Sequence, residues 1–388
     1  MLFIVLFLLL IPVSVIAYFY YQIFEKHKDR KRIAFDEEYE KIRAQNYPPA
    51  FPNGWFNLCS SDMVEKGKVI EVEAFGQKLA VFRGEDGKVG VVDVYCPHLN
   101  ANLADGKVVG NHLVCPFHAW EFGKDGKCKH VPYSDKVPNA SAACWIVKEN
   151  WGLILVWYHA QKALPTWDTE GYLTEMSDFK YHGKTTDILR IHLQDFAENG
   201  ADHAHFAYVH NLMTIPFVEH IIDVKHTLEI VFLEGKEKHM AYFTDIASLV
   251  WKKSQKEIPR AGGHAKVTYF GPGFLVFQFT TEIGNVLLIK TFTPLGPLKL
   301  RMDDYVYAPK GTFKLAIKYL LREASAQFHD DIAIWEKKNY AERPVLVKGD
   351  GPIMKMRAWY SQFYGGNEVA KEGATVEETL LSTAENNN

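Results

Sequence analysis

Residues 96–120 read CPHLNANLADGKVVGNHLVCPFHAW. The stretch holds Cys96-x-His98, sixteen intervening residues and Cys115-x2-His118, with Pro97 and Pro116 stiffening the two short loops. Two thiols and two imidazoles on paired loops form a metal-ligand set. Outward from it, the chain is 388 residues long, 47% hydrophobic and 23% charged, enough for two globular domains and too apolar for a disordered protein. Lys plus Arg is 44 and Asp plus Glu 47, so no basic excess points to nucleic acid. Five cysteines (Cys59, Cys96, Cys115, Cys128, Cys144) are too few and too odd for a disulfide scaffold, which suggests a reducing compartment and a metal role for some of them.

Structural zinc is one reading of the loops, yet zinc loops space their first pair by two to four residues. One intervening residue is tight for a single tetrahedral ion. In a Rieske [2Fe–2S] centre two thiolates hold one iron and two imidazoles the other. Each loop then gives a ligand to each iron, and Cys-x-His fits because its two ligands serve different atoms. His112 and His130 flank the loops out of register and read as surface or packing residues, and Cys59, Cys128 and Cys144 as buried thiols.

At the front, Leu2 to Phe24 carries no charge, and about 20 apolar residues suffice for a membrane-crossing helix. Tyr18, Tyr20 and Tyr21 would fall in the interfacial belt. Lys26, Lys28, Arg30, Lys31 and Arg32 follow and place the remainder in the cytosol. A cleaved signal peptide is disfavoured, because the basic residues follow the run and no basic segment precedes it. The expectation is a single-pass anchor in the endoplasmic reticulum membrane. Beyond a charged helix near 33–46, short alternating runs at 68–75, 78–84, 89–95 and 152–158 predict an all-β domain. After Pro165 come strand-like runs at 221–234, 239–251, 267–282, 285–295 and 298–309, a helix-like 192–210 and a long helix over 313–340, an α+β pattern. The expected division is anchor 1–24, linker 25–47, first domain 48–165, second domain 166–365 and polar tail 366–388.

A second histidine-rich stretch, QDFAENGADHAHFAYVH, holds Glu198, Asn199, Asp202, His205 and His210. Two histidines and a distant carboxylate make the facial triad of O2-activating Fe(II) enzymes. Five residues turn an ideal helix far enough that His205 and His210 share an ion only if the helix ends or bulges between them. FHDDIAIWEKK offers Asp330 and Asp331 as the third ligand; His203 and His329 point elsewhere by helical phase.

From FPNGWFNL (51–58) through CPFHAWEFGKDGKC the chain resembles the Rieske domain of the Rieske non-haem iron oxygenases, and D-x2-H-x4-H resembles their mononuclear iron motif. The disulfide-forming cysteines of respiratory Rieske proteins are missing. The family usually has glycine where Asn100 and Ala119 stand. The resemblance implies a helix-grip, START-like catalytic domain with an antiparallel sheet, a [2Fe–2S] cluster on Cys96, His98, Cys115 and His118, and Fe(II) on His205, His210 and Asp331. Asp331 is selected because it lies four residues before an aromatic, Trp335. It also implies that Asp202 accepts a hydrogen bond from a cluster imidazole, His118, of a neighbouring subunit in a homotrimer. Together the two metals imply reductive O2 activation and attack on an unactivated C–H, ending in an alcohol or a C=C bond. With no nicotinamide or flavin fingerprint in the chain, NAD(P)H electrons are expected through a separate reductase. Glu198, the segment 344–364 and the anchor add a resemblance to the steroid branch and the animal cholesterol 7-desaturase family, called Neverland in insects, hence a sterol substrate. Competing readings are a Rieske monooxygenase of another hydrophobic ring system and an electron-transfer or lipid-carrier protein with a decayed iron site.

Overall fold

The computed structural model describes residues 36–170, 178–209, 221–281, 284–312, 317 and 328–365. It opens with helix α1 (Glu37–Ala44), capped by Asp36, whose carboxylate accepts from the Glu38 and Tyr39 amides. The buried Arg43 guanidinium docks this helix on the second half of the chain by donating to the Arg190 and Glu336 carbonyls.

The first half contributes ten strands: β1 (Gly54–Ser60), β2 (Val69–Ala74), β3 (Gln77–Arg83), β4 (Val89–Asp93), β5 (Lys107–Val109), β6 (His112–Val114), β7 (Glu121–Phe122), β8 (Cys128–His130), β9 (Val147–Asn150) and β10 (Leu153–Tyr158). They pair as three antiparallel sheets, β1-β10-β9, β2-β3-β4 and β5-β6-β7-β8. The second half has β11 (Phe179–Leu189), helices α2 (Leu193–Asn199) and α3 (His203–Val209), and then β12 (Ile222–Phe232), β13 (Met240–Trp251), β14 (Glu257–Phe270), β15 (Phe274–Thr281), β16 (Gly284–Gly296) and β17 (Lys299–Pro309). Helical residues 328–335 and helix α4 (Ile353–Ser361) follow. All seven strands of the second half form one antiparallel sheet, β11-β17-β16-β15-β14-β13-β12, whose first strand closes on its last.

Alternation along β16 shows how this sheet is used on both faces. Leu287 and Ile289 pack with Trp55, Leu153, Leu155 and Trp157 of the first half. Phe292, one register over, meets Phe196 of α2 with ring centroids 4.2 Å apart and shares a core with Ile332 and Trp335. Both faces of the sheet are thus packed, and the core on the Phe292 side also takes in Phe56, Phe75 and Ile154 of the first half. Buried Asn57 of β1 fastens the two halves: its amide donates to Thr291 (3.1 Å) and Tyr305 (3.0 Å), and its carbonyl accepts from Thr293 and Arg301.

Three sequence expectations change. The run 267–282 is a hairpin, broken at Gly271–Gly273 into β14 and β15. The helix-like 192–210 is two short helices with a break at 200–202. The expected transmembrane helix is also corrected. Among the described residues no helix is long and apolar enough to cross a membrane, and the run Leu2–Phe24 lies outside the described residues. The 9 residues of α4 reach ~14 Å, against ~30 Å of hydrocarbon. The fold is an α+β Rieske-type fold with a β-rich second domain, and the membrane as partner and the endoplasmic reticulum membrane placement lose their support with the anchor. The polar tail 366–388 also lies outside the described residues.

Candidate functional site

The two loops of the first half share one backbone plan. Cys96 N–H donates to the Ala101 carbonyl and Cys115 N–H to the Trp120 carbonyl; the Asn100 and Ala119 amides return to the carbonyls of Cys96 and Cys115. The residue four after each cysteine is left-handed, Asn100 at φ 57° and Ala119 at φ 55°. Glycine takes this conformation without strain, asparagine tolerates it, and alanine carries its cost. The plan sinks both cysteines into the core and leaves His98 and His118 half-buried at the rim, with ring centroids 4.8 Å apart. His98 stacks on Trp120 (4.5 Å), whose indole N–H donates to Tyr133 at 2.7 Å. Leu99 and Phe117, each about 60% exposed, stand beside them.

Burial pushes the Cys96 thiol up to about 11, against the pull of the His98 and Leu99 amides directed at its sulfur and with the neighbouring Cys115 adding to the rise. Two adjacent buried sulfurs with backbone N–H groups turned toward one of them suit thiolates held by a metal. A two-iron cluster asks for two sulfurs on one side and two imidazoles on the other, and the loops present that set. His112 and His130 both turn Nδ1 to Glu121 (2.9 and 3.1 Å), a packing role; Cys59 and Cys128 are buried, whereas Cys144 is half-buried. Burial raises the Cys59 thiol to about 12.

In the second half, helices α2 and α3 bring His205 to Asp331. Its Nε2 lies 4.0 Å from Asp331 Oδ1, and both side chains are nearly buried. His205 Nδ1–H donates to the Asp202 carbonyl, and Asp202 Oδ1 accepts the His205 amide, as a helix cap does. This fixes the tautomer and aims Nε2 at Asp331, the arrangement of a metal-ligating histidine. Burial lowers the affinity of His205 for a proton, but the contacts with Asp202 and the charge of Asp331 outweigh it and raise the pKa. Asn199 donates to Asp331 Oδ2 at 3.1 Å, a contact sequence reading did not assign. His210 lies outside the described residues. Asp202 keeps 39% of its side chain exposed at the mouth of a cavity of about 210 Å3 that Asp195, Asn199, Trp335 and Lys338 also line.

The break between α2 and α3 is set from a distance. Asp350 O accepts the His203 amide, and Gly351, at φ 95°, packs so close to the Ala201 carbonyl that a Cβ there would sit 2.2 Å from the oxygen. Buried Glu198 is gripped by Arg357 of α4 through two bonds (2.8 and 3.0 Å), and Arg357 also lies 4.5 Å over the Tyr340 ring. The late aromatics Trp359, Tyr360 and Phe363 are core.

Two family models match separate stretches of the chain. Residues 54–141 match the Rieske [2Fe-2S] domain, and residues 156–364, more than half of the chain, match the 3-Ketosteroid 9alpha-hydroxylase C-terminal domain. Dicamba monooxygenase bound to dicamba superposes with a TM-score of 0.61 at 17% identity, over 86% of this chain and all of that one, which shows the shared fold. Fold and loops define a Rieske-type oxygenase, an oxidoreductase with a Rieske [2Fe–2S] domain. The cholesterol 7-desaturase of Xenopus laevis is 36% identical over 82% of this chain and 73% of its own length; that of Drosophila melanogaster is 32% identical over 84% and 78%. The chain belongs to the Rieske oxygenase family of the cholesterol 7-desaturases, the Neverland family.

Proposed function

We propose that the chain desaturates a sterol: cholesterol, O2, NAD(P)H and a proton give 7-dehydrocholesterol, NAD(P)+ and two waters, with the electrons delivered by a separate reductase. The observation that carries the reading is the approach of His205 Nε2 to Asp331 in a buried setting, because a family member that had lost its iron site would have no reason to keep this pair aligned. The names of the relatives, cholesterol 7-desaturases in animals from Xenopus to Drosophila, support the substrate.

In this reading Cys96, Cys115, His98 and His118 hold the cluster, and His205, His210 and Asp331 hold Fe(II). Bound there, the two centres supply the reductive activation of O2 that removes hydrogen from an unactivated C–H. The remaining work belongs to the chain. The Asp202 carbonyl holds the His205 Nδ1 proton and leaves Nε2 as the donor atom. Asn199 fixes the Asp331 carboxylate in one orientation. The partly exposed Asp202 carboxylate meets an incoming cluster imidazole, orients it and offers the electron route. The apolar inner face of the sheet, with Leu228, Ile230 and Phe277, and Phe206 of α3 packed on it keep water from the reacting carbon.

Incubating the purified protein with a reductase, NADPH, O2 and cholesterol tests this by mass spectrometry. A product lighter by two hydrogens is expected. A product heavier by one oxygen would make the enzyme a hydroxylase and overturn the desaturase assignment.

A further inference from the structure

The face of β12 that meets α3 alternates Leu228, Ile230 and Phe232 inward, all part of the core that includes Phe206. His226, on the same face by the two-residue period, breaks this apolar row. Its Nδ1 lies 2.9 and 3.0 Å from the two carboxylate oxygens of Asp245 on β13, with 10% and 13% of the two side chains exposed. A carboxylate only accepts, so the Nδ1 proton belongs to the bond with Asp245 and the ring is held in one orientation. Its other nitrogen, Nε2, is buried and, among the described residues, has no hydrogen-bond partner. A buried polar atom without a partner calls for one, all the more when a second residue is spent on aiming it.

The position of the dyad indicates what that partner is. The His226 ring packs on Phe206 with centroids 5.4 Å apart, and Phe206 packs on His205 at 4.3 Å. The dyad thus packs on the same aromatic ring, Phe206, that packs on the candidate iron ligand His205. A sterol has a matching layout: its only polar group is a hydroxyl on one ring, and C7 lies on the next. A hydroxyl both donates and accepts, so it satisfies Nε2 whichever protonation state the imidazole takes.

We propose that the His226–Asp245 dyad is the polar anchor of the substrate chamber, with His226 Nε2 hydrogen-bonded to the ring hydroxyl of the sterol, so that the adjacent ring is presented to the iron site. This makes His226 a specificity-determining residue and Asp245 the residue that positions it. The inference rests on the sterol reading above, and the test separates the two.

Equilibrium binding and turnover of cholesterol and of its 3-deoxy analogue, cholest-5-ene, are measured with the wild-type holoenzyme and with His226→Phe, which keeps an aromatic ring against Phe206. Wild type is expected to bind cholesterol about 10-fold more tightly than the deoxy analogue. His226→Phe is expected to lose that preference, with cholesterol falling to the level of the analogue and the analogue unchanged. Asp245→Asn, which can present the wrong atom to Nδ1, is expected to lie between them. An unaltered circular dichroism spectrum and denaturation midpoint in each variant show that the second half keeps its fold. Should His226→Phe not fold, equal binding of the two sterols by wild type alone overturns the anchor. Wild type that turns over cholesterol and a folded His226→Phe with the same preference for the hydroxyl overturn the anchor and leave the sterol reading standing. Wild type that neither binds nor converts cholesterol overturns both.

Discussion

The two metal regions of this chain are built on opposite principles. The cluster loops are self-contained: the four candidate ligands lie within 23 residues, and the bonds that shape them run from each cysteine to a residue four or five positions on. The candidate iron site is assembled from afar. His205 sits at the start of a 7-residue helix whose entry is set by Asp350 and Gly351, and Asp331 reaches it from a helical segment more than 120 residues on in the chain, oriented by Asn199. A local device survives almost any change outside it; a dispersed one depends on the whole second half being in register.

This contrast can be broken first by removing one ligand from each region. Cys96→Ala is expected to abolish both the Rieske EPR signal and turnover, since electrons then have no store. His205→Ala is expected to abolish turnover while the Rieske signal stays intact, with the metal content falling by about one iron per chain. Retained activity in His205→Ala would refute the assigned iron site.

The dependence of the second region on distant support is sharpened by Arg357→Ala. It leaves the buried Glu198 carboxylate unpaired, a loss of about 3–5 kcal/mol for a desolvated ion pair. Denaturant unfolding of the second half should show the loss, with the mononuclear iron released more readily and the cluster spectrum unchanged. A cluster that bleaches together with the iron would mean the two regions are one cooperative unit.

A smaller effect is expected from pH. Burial pushes the His239 imidazole, stacked on Trp167 at 5.0 Å, down to about 4. The unfolded chain, with an ordinary histidine near 6.5, binds the extra proton first. Stability is therefore whole above about 6.5 and falls as pH drops from there toward 4. His239→Phe should keep the stacking and flatten the slope in denaturation midpoints compared at pH 7 and pH 5. The smallest effect is expected at the left-handed loop position: Ala119→Gly should stabilise the cluster loops by about 1 kcal/mol, read as a higher temperature of cluster bleaching. Asn100→Gly should gain less.

The same contrast explains what sequence reading could reach. The candidate cluster ligands stand out because their spacing is itself the chemistry, and the Asn100 and Ala119 departures even mark the two left-handed positions. Most strands are legible from alternation, whereas β11 is not: its inward side chains are few and its burial mixed, so no clean period shows. Asp331 is selected only through kinship, since a carboxylate on a polar helix looks like any solvated one. The Asn199–Asp331 bond, the Glu198–Arg357 pair and the His226–Asp245 dyad leave no local trace, because each joins residues that only the folded sheet and helices bring together. Leu2–Phe24 is the reverse case. Apolar length, the tyrosine belt and the basic flank together suggest a membrane helix; the run lies outside the described residues, and no described helix is long and apolar enough to cross a membrane.

The most direct test of the account is metal and sulfide analysis of the purified protein together with EPR of the dithionite-reduced form. The account predicts about three irons and about two acid-labile sulfides per chain, with the low-average-g signal of a histidine-ligated cluster. Zinc in place of iron, or a reduced protein without that signal, would contradict it.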